Sequence, residues 1–211
     1  MRLLLLLVGL AGCLEQVDPR WSLDHDHVIA ARVTPARVAA GERATIDALV
    51  AHAGAPVTIA SPAIAGAPLA SPELQSMVWR DGPDWVVTAP AGAAPEPLDI
   101  VMAFEHAGDD PFYVKKTVWI GEHADNPALP AITVAGEPAG AEIAVPLDSD
   151  VYLAVASDAR VSWLTSCGTL YQDDVATAYI HADAACDGEL AVVVRAPDGG
   201  VAWQVLPLHA R

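Results

Sequence analysis

The sequence predicts an all-β protein of two β-sandwich domains behind a short N-terminal export segment. Three observations carry that expectation. Apolar runs of strand length recur along the chain and are broken by Gly and Pro. No helical period runs longer than three turns. The strand pattern stops at Asp125-Asn126-Pro127-Ala128-Leu129-Pro130 and then restarts.

The export segment comes first. Arg2 supplies the positive start, Leu3 to Val8 form an unbroken apolar run, and Leu10-Ala11-Gly12-Cys13 follows. This order is that of a secretory signal, and the last four residues match the lipobox of bacterial lipoproteins. The match implies cleavage before Cys13 and a diacylglycerol on its thiol. The apolar run falls short of the ~20 residues that span a bilayer. Residues 1–12 are therefore read as a lipoprotein signal peptide and 13–23 as a lipidated tether. Leu14, not Asp, follows the cysteine, which points to the outer membrane of a two-membrane cell.

About two hundred residues remain after cleavage, enough for one large domain or two small ones. The chain holds 11 Lys and Arg against 27 Asp and Glu, a formal net charge of −16. Such a body repels DNA, RNA and anionic head groups. No nucleic-acid role is expected, and lipid chains must provide the attachment. With Cys13 spent on lipid, Cys167 and Cys186 form an even pair in an exported protein, which favours a disulfide.

The first domain is placed at 24–122. Its strands are read at Val28–Val33, Ala44–Val50, Met77–Trp79, Trp85–Thr88, Leu98–Phe104 and Tyr113–Ile120. They are rich in β-branched and aromatic residues and separated by turn residues. Residues 53–76 carry four prolines among Ala, Ser and Gly and read as a long loop with a short strand near Val57-Thr58-Ile59. Residues 123–130 form a semi-rigid linker, expected to be the most protease-sensitive site after the tether. The second domain, 131–211, has strands at Ala131–Ala135, Glu142–Val145, Val151–Ala156, Arg160–Thr165, Thr177–His181, Glu189–Arg195 and Val201–Leu208. About seven short strands in so few residues are the mark of a sandwich.

Val33-Thr34-Pro35-Ala36-Arg37-Val38-Ala39-Ala40-Gly41-Glu42 and Thr88-Ala89-Pro90 resemble strand openings and closings of bacterial Ig-like domains. The segment from Trp163 to Leu170, with Cys186, Leu190–Arg195 and Asp198-Gly199-Gly200-Val201, resembles the PKD-like or cadherin-like Ig modules of surface lipoproteins. The resemblance covers most of 27–211 and implies fold more than function. In an Ig sandwich strands C and F are antiparallel neighbours. That frame puts Cys167, after one strand, beside Cys186, before the other, 19 positions later. A bridge there contributes about 3 kcal/mol. The alternatives are two free thiols or a metal pair, and no third or fourth ligand stands nearby.

Val161, Trp163 and Thr165 share one strand face, and Val201, Trp203 and Val205 share another. Both tryptophans are expected to face the core or its edge. Trp79 and Trp85 flank an Asp-Gly-Pro-Asp turn and are the aromatic candidates for a ligand platform. Asp24-His25-Asp26-His27 is the one dense set of metal-capable groups, read as a solvated strand start with both histidines on one face. Asp109-Asp110, Asp148-Ser149-Asp150 and Asp173-Asp174 read as ordinary turns rather than calcium sites. Neither Gly-x-Ser-x-Gly, nor Ser-x-x-Lys, nor a phosphate-cradling Gly loop occurs. No metal, cofactor or catalysis is expected. The expected role is structural, adhesive or protein-binding at the cell envelope, with carbohydrate or small-solute binding as the alternative.

Overall fold

The computed structural model describes residues 19–52, 54–59, 63–66, 76–106 and 109–211. Cys13 and the signal segment lie outside the described residues. Strands alone make up the regular structure there, and they build two sandwiches.

In the first sandwich, β1 (His27–Thr34), β3 (Arg43–His52), β7 (Asp84–Thr88) and β6 (Val78–Asp81) form one sheet in that order, with β4 (Ala55–Ile59) also paired to β3. The facing sheet runs β2 (Arg37–Ala39), β9 (Asp109–Gly121), β8 (Glu96–His106) and β5 (Ala63–Gly66). The chain crosses between sheets at the cis Thr34–Pro35 bond, after which β2 lies parallel to β9. Alternation drives the packing. Ala44, Ile46, Ala48 and Val50 of β3 face Leu98, Ile100 and Met102 of β8 in a common core.

The second sandwich repeats the plan. One sheet runs β11 (Glu137–Pro138), β10 (Ile132–Val134), β13 (Val151–Val155), β16 (Thr177–His181) and β15 (Thr169–Tyr171). The other runs β12 (Ile143–Val145), β18 (Val201–Ala210), β17 (Cys186–Arg195) and β14 (Arg160–Thr165), with β12 parallel to β18. In both units the strand order is the A-B-E-D and G-F-C arrangement of an immunoglobulin-type sandwich. β14 and β17, the expected C and F strands, are antiparallel neighbours from Arg160↔Arg195 to Thr165↔Leu190.

Cys167 and Cys186 are joined, with Cα atoms 5.8 Å apart. Cys167 is buried at the corner where the chain leaves β14 for the other sheet. Two glycines make that corner possible. Gly168 has φ +82°, and a Cβ there would lie 2.6 Å from the His181 carbonyl oxygen. A Cβ on Gly188 would lie 2.6 Å from that of Cys167.

The two sandwiches do not hang end to end. The β1–β3 face of the first lies on the β14–β17–β18 face of the second. Ile29, Ala30, Leu49 and Ala51 meet Leu164, Ala191, Val193 and Val201 in a third apolar cluster, flanked by Trp203 and Val205. The sheets thus stack in four layers. β3 and β17 are buried on both faces, which explains their continuous apolar runs Ala48–Ala51 and Leu190–Val194.

The connecting segment, read from sequence as a semi-rigid linker, is hydrogen-bonded to both sandwiches. The Asn126 side-chain amide donates to the Val33 carbonyl at 2.8 Å, and its oxygen accepts from the Val201 N–H at 2.8 Å. Arg37 donates to the Asp198 carbonyl at 3.1 Å and Lys116 to the Gly199 carbonyl at 2.8 Å. Burial holds the Lys116 ammonium pKa below that of an ordinary lysine. The segment read as tether also ends inside the structure. Leu23 is buried and donates its N–H to the Thr165 carbonyl at 3.0 Å, while Thr165 returns its own N–H to Trp21 at 2.9 Å.

Candidate recognition surface

The outer sheet of the second sandwich carries an aromatic row. In β13, β16 and β15 the inward positions are apolar: Val151, Leu153 and Val155, then Ala178 and Ile180, then Leu170. The alternate positions point to solvent, and there the sequence places Tyr152, Tyr179 and Tyr171. The register sets Tyr152 opposite Tyr179, and Tyr179 opposite Tyr171. Three tyrosines therefore cross three adjacent strands in line. Their exposures are 37%, 38% and 53% for Tyr152, Tyr179 and Tyr171. Tyr152 and Tyr179 meet edge to face, with ring centroids 5.4 Å apart.

Beside the row lies a shallow hollow of about 450 Å³, lined by Tyr171, Tyr179, His181, Asp150 and Asp183. His181 is two residues beyond Tyr179 and so shares its face. Its Nδ1 lies 2.9 Å from Asp150 Oδ1 and its Nε2 lies 3.1 Å from Asp183 Oδ1. The hydrogen bond to Asp150 is the main cause of a His181 pKa above the ordinary histidine value; desolvation opposes it, and Asp183 adds a smaller upward push. The surface offers aromatic faces, phenolic hydroxyls and carboxylates without an activated nucleophile.

The tryptophans singled out from sequence are placed apart. Trp79 pairs with Val86 and Trp85 with Arg80, so the two rings lie on opposite faces of the β6–β7 hairpin. The Trp79 Nε1–H donates to Thr88 Oγ1 at 3.0 Å, and the Arg43 guanidinium carbon sits 5.3 Å from its ring centroid. Trp85 packs against the first core. Its Nε1–H is buried and makes no hydrogen bond, and Arg80 stands 5.6 Å from its ring. Trp163 fills the second core with no exposed surface, and its Nε1–H donates to the Val175 carbonyl at 2.9 Å. Trp203 lies at the boundary between the sandwiches. His25 and His27 stack on one another with ring centroids 4.6 Å apart. Among the described residues, no group of three or more His, Cys, Asp or Glu gathers to hold a metal ion.

The tyrosine row was missed in the sequence, although a signal for it exists. Each tyrosine occupies an outward position of an alternating strand: Val151-Tyr152-Leu153, Thr169-Leu170-Tyr171 and Ala178-Tyr179-Ile180. Seeing that the three meet requires the cross-strand register, which the sequence does not reveal.

No protein-family model matches the chain, and no curated protein matches it. Solved structures do resemble it. One is the N-terminal Ig1-2 module of the Drosophila receptor protein tyrosine phosphatase DLAR, at 15% identity and TM-score 0.30, covering 88% of this chain and 98% of that one. Another is the Yersinia pseudotuberculosis adhesin InvE, at 11% identity and TM-score 0.24, with 85% and 58% covered. A third is the Bacteroides ovatus mixed-linkage glucan utilization locus protein SGBP-B, solved with a mixed-linkage heptasaccharide, at 10% identity and TM-score 0.21, with 90% and 64% covered. The likenesses are distant. The observed strand order carries the fold assignment, and the neighbours assign no activity.

Proposed function

We propose that this chain is a lipid-anchored protein of the cell envelope with an adhesive or protein-binding role and no catalysis. The observation that carries the reading is the tyrosine row. Tyrosine gives a large, rigid contact area at low entropic cost and is enriched where proteins recognise one another. Three tyrosines abreast on an exposed sheet are a contact surface that packing of this domain leaves uncovered. The lipobox at Leu10–Cys13 supports attachment at the outer membrane.

Two experiments test the two halves. For attachment, Cys13→Ser removes the thiol that takes the lipid. The parent should partition into detergent and the variant into water, and equal aqueous partitioning defeats the lipid reading. For contact, a photocrosslinker replacing Tyr171 in living cells should trap one envelope partner. The same group replacing Tyr113, exposed on the first sandwich, should trap none. Loss of the adduct in Tyr179→Ala is expected, and an unchanged adduct counts against the row.

A second reading, binding of a carbohydrate, is favoured by the hollow beside Tyr171 and Tyr179. Its carboxylates can accept from sugar hydroxyls while a ring stacks on the sugar face. Saturable glycan binding lost in Tyr171→Ala but retained in Trp85→Ala would select it.

A further inference from the structure

A second cavity, of about 230 Å³, lies where the first sandwich meets the second. Its lining includes Arg20, Arg160 and Arg195, with His27, Asp173 and Asp174. The whole chain holds 11 basic residues, and three of its arginines converge here.

The charges are not balanced inside the cavity. Arg20 takes both aspartates: its Nε and Nη2 donate to Asp173 at 2.7 and 3.1 Å, and Nη2 lies 3.2 Å from Asp174. Arg160 and Arg195 are left facing each other. They are direct cross-strand partners on β14 and β17, a placement in which like charges repel. Arg160 makes no ion pair among the described residues. Arg195 donates from Nη1 to Ser162 Oγ at 2.9 Å and from Nη2 to the Ile29 carbonyl at 2.7 Å, both neutral acceptors. A guanidinium carries five N–H donors, so donors remain on both arginines. Burial, and then the charge of Arg160, lower the Arg195 pKa below the ordinary arginine value. Arg160, exposed and without an ion pair among the described residues, and Arg195, with donors to spare, stand beside an open cavity and match the forked geometry of an oxyanion.

We propose that this cavity between the sandwiches binds a small oxyanion, a phosphate or carboxylate group, held between Arg160 and Arg195. Such a ligand cancels the repulsion and occupies the free donors. It would sit beside the Arg195–Ile29 hydrogen bond that already links the two sandwiches.

The test uses the full chain in a non-ionic detergent, titrated with inorganic phosphate or with acetate against chloride at matched ionic strength. Binding is followed by isothermal titration calorimetry. One saturable site is expected for at least one of the two anions, and which of them saturates separates phosphate from carboxylate recognition. Arg160→Gln should weaken it by about tenfold or more. Arg80→Gln, on the distant hairpin, should leave it unchanged. Arg160→Glu adds a readout of opposite sign: without anion its unfolding midpoint should rise, because the repulsion with Arg195 becomes attraction, while the response to phosphate or acetate disappears. No saturation beyond the chloride response with either anion overturns the proposal. So does undiminished binding by folded Arg160→Gln, and so does a lowered midpoint in Arg160→Glu.

Discussion

The guanidinium of Arg32, on β1 of the first sandwich, lies over the ring of Trp203, on β18 of the second, 3.8 Å from its centroid. Asp47 holds Arg32 in place from the neighbouring strand, accepting from its Nε at 3.0 Å. A cation over an indole face contributes up to about 2 kcal/mol where water is excluded. Together with the apolar cluster beneath, this contact should couple the two sandwiches into one cooperative unit. The chain should unfold in a single denaturant transition. Trp203→Ala should lower stability by about 2 kcal/mol, since the ring is only half-buried, and should split the transition in two. Calorimetry with two fluorescence probes checks it, and two transitions in the parent would show that the docking is weak.

The disulfide makes the second prediction. Replacing Cys167 and Cys186 with serine should cost about 2–4 kcal/mol while the fold is retained. Cys167 is 3% exposed, so a reductant should open the bridge in the native protein far more slowly than in the unfolded chain. Gly188→Ala should destabilise as well, because its methyl meets the Cys167 Cβ. Non-reducing peptide mapping and urea unfolding measure these effects.

His181 sets a pH dependence. Its pKa is raised in the folded state, first by the hydrogen bond to Asp150. That contribution to stability is complete below the unfolded value of about 6.5 and is lost as pH rises through the folded value. His123 acts in the same direction through Glu42. Stability should therefore fall as pH rises above about 6.5. In an NMR titration Asp150→Asn should bring the His181 pKa down, and no change in that variant would show that the pairing is absent in solution.

Asn126 governs the connection between sandwiches. Asn126→Ala removes the partners of the Val33 carbonyl and the Val201 N–H, at a cost of about 2 kcal/mol. Limited proteolysis should leave residues 123–130 intact in the parent and cut them in the variant. Early cleavage there in the parent would mean that the pinned geometry does not persist.

How far the sequence reached follows from what each strand has to hide. Trp163 could be assigned to the core because Val161, Trp163 and Thr165 alternate with Ser162 on the other face. The C–F pairing followed from the Ig frame and is observed. β5 and β15 were too short to announce themselves, and β5 lies in the proline-rich stretch read as loop. The docking of the sandwiches was missed for a different reason. Leu190-Ala191-Val192-Val193-Val194 reads as one apolar strand, and nothing local says that its second face meets another domain. The same holds for Trp21 and Leu23, whose partner Thr165 lies far along the chain.

The pairing of residues 21–23 with Thr165 has a mechanical consequence. In a chain held by its N-terminus, tension enters at Arg20 and meets the Asp173 ion pair first. It then reaches the two Thr165 hydrogen bonds, all on the second sandwich. The first sandwich stands outside the line of force until those bonds yield. An applied pull is thus delivered directly to the unit stapled by a disulfide, and the unit without one is shielded as a passenger.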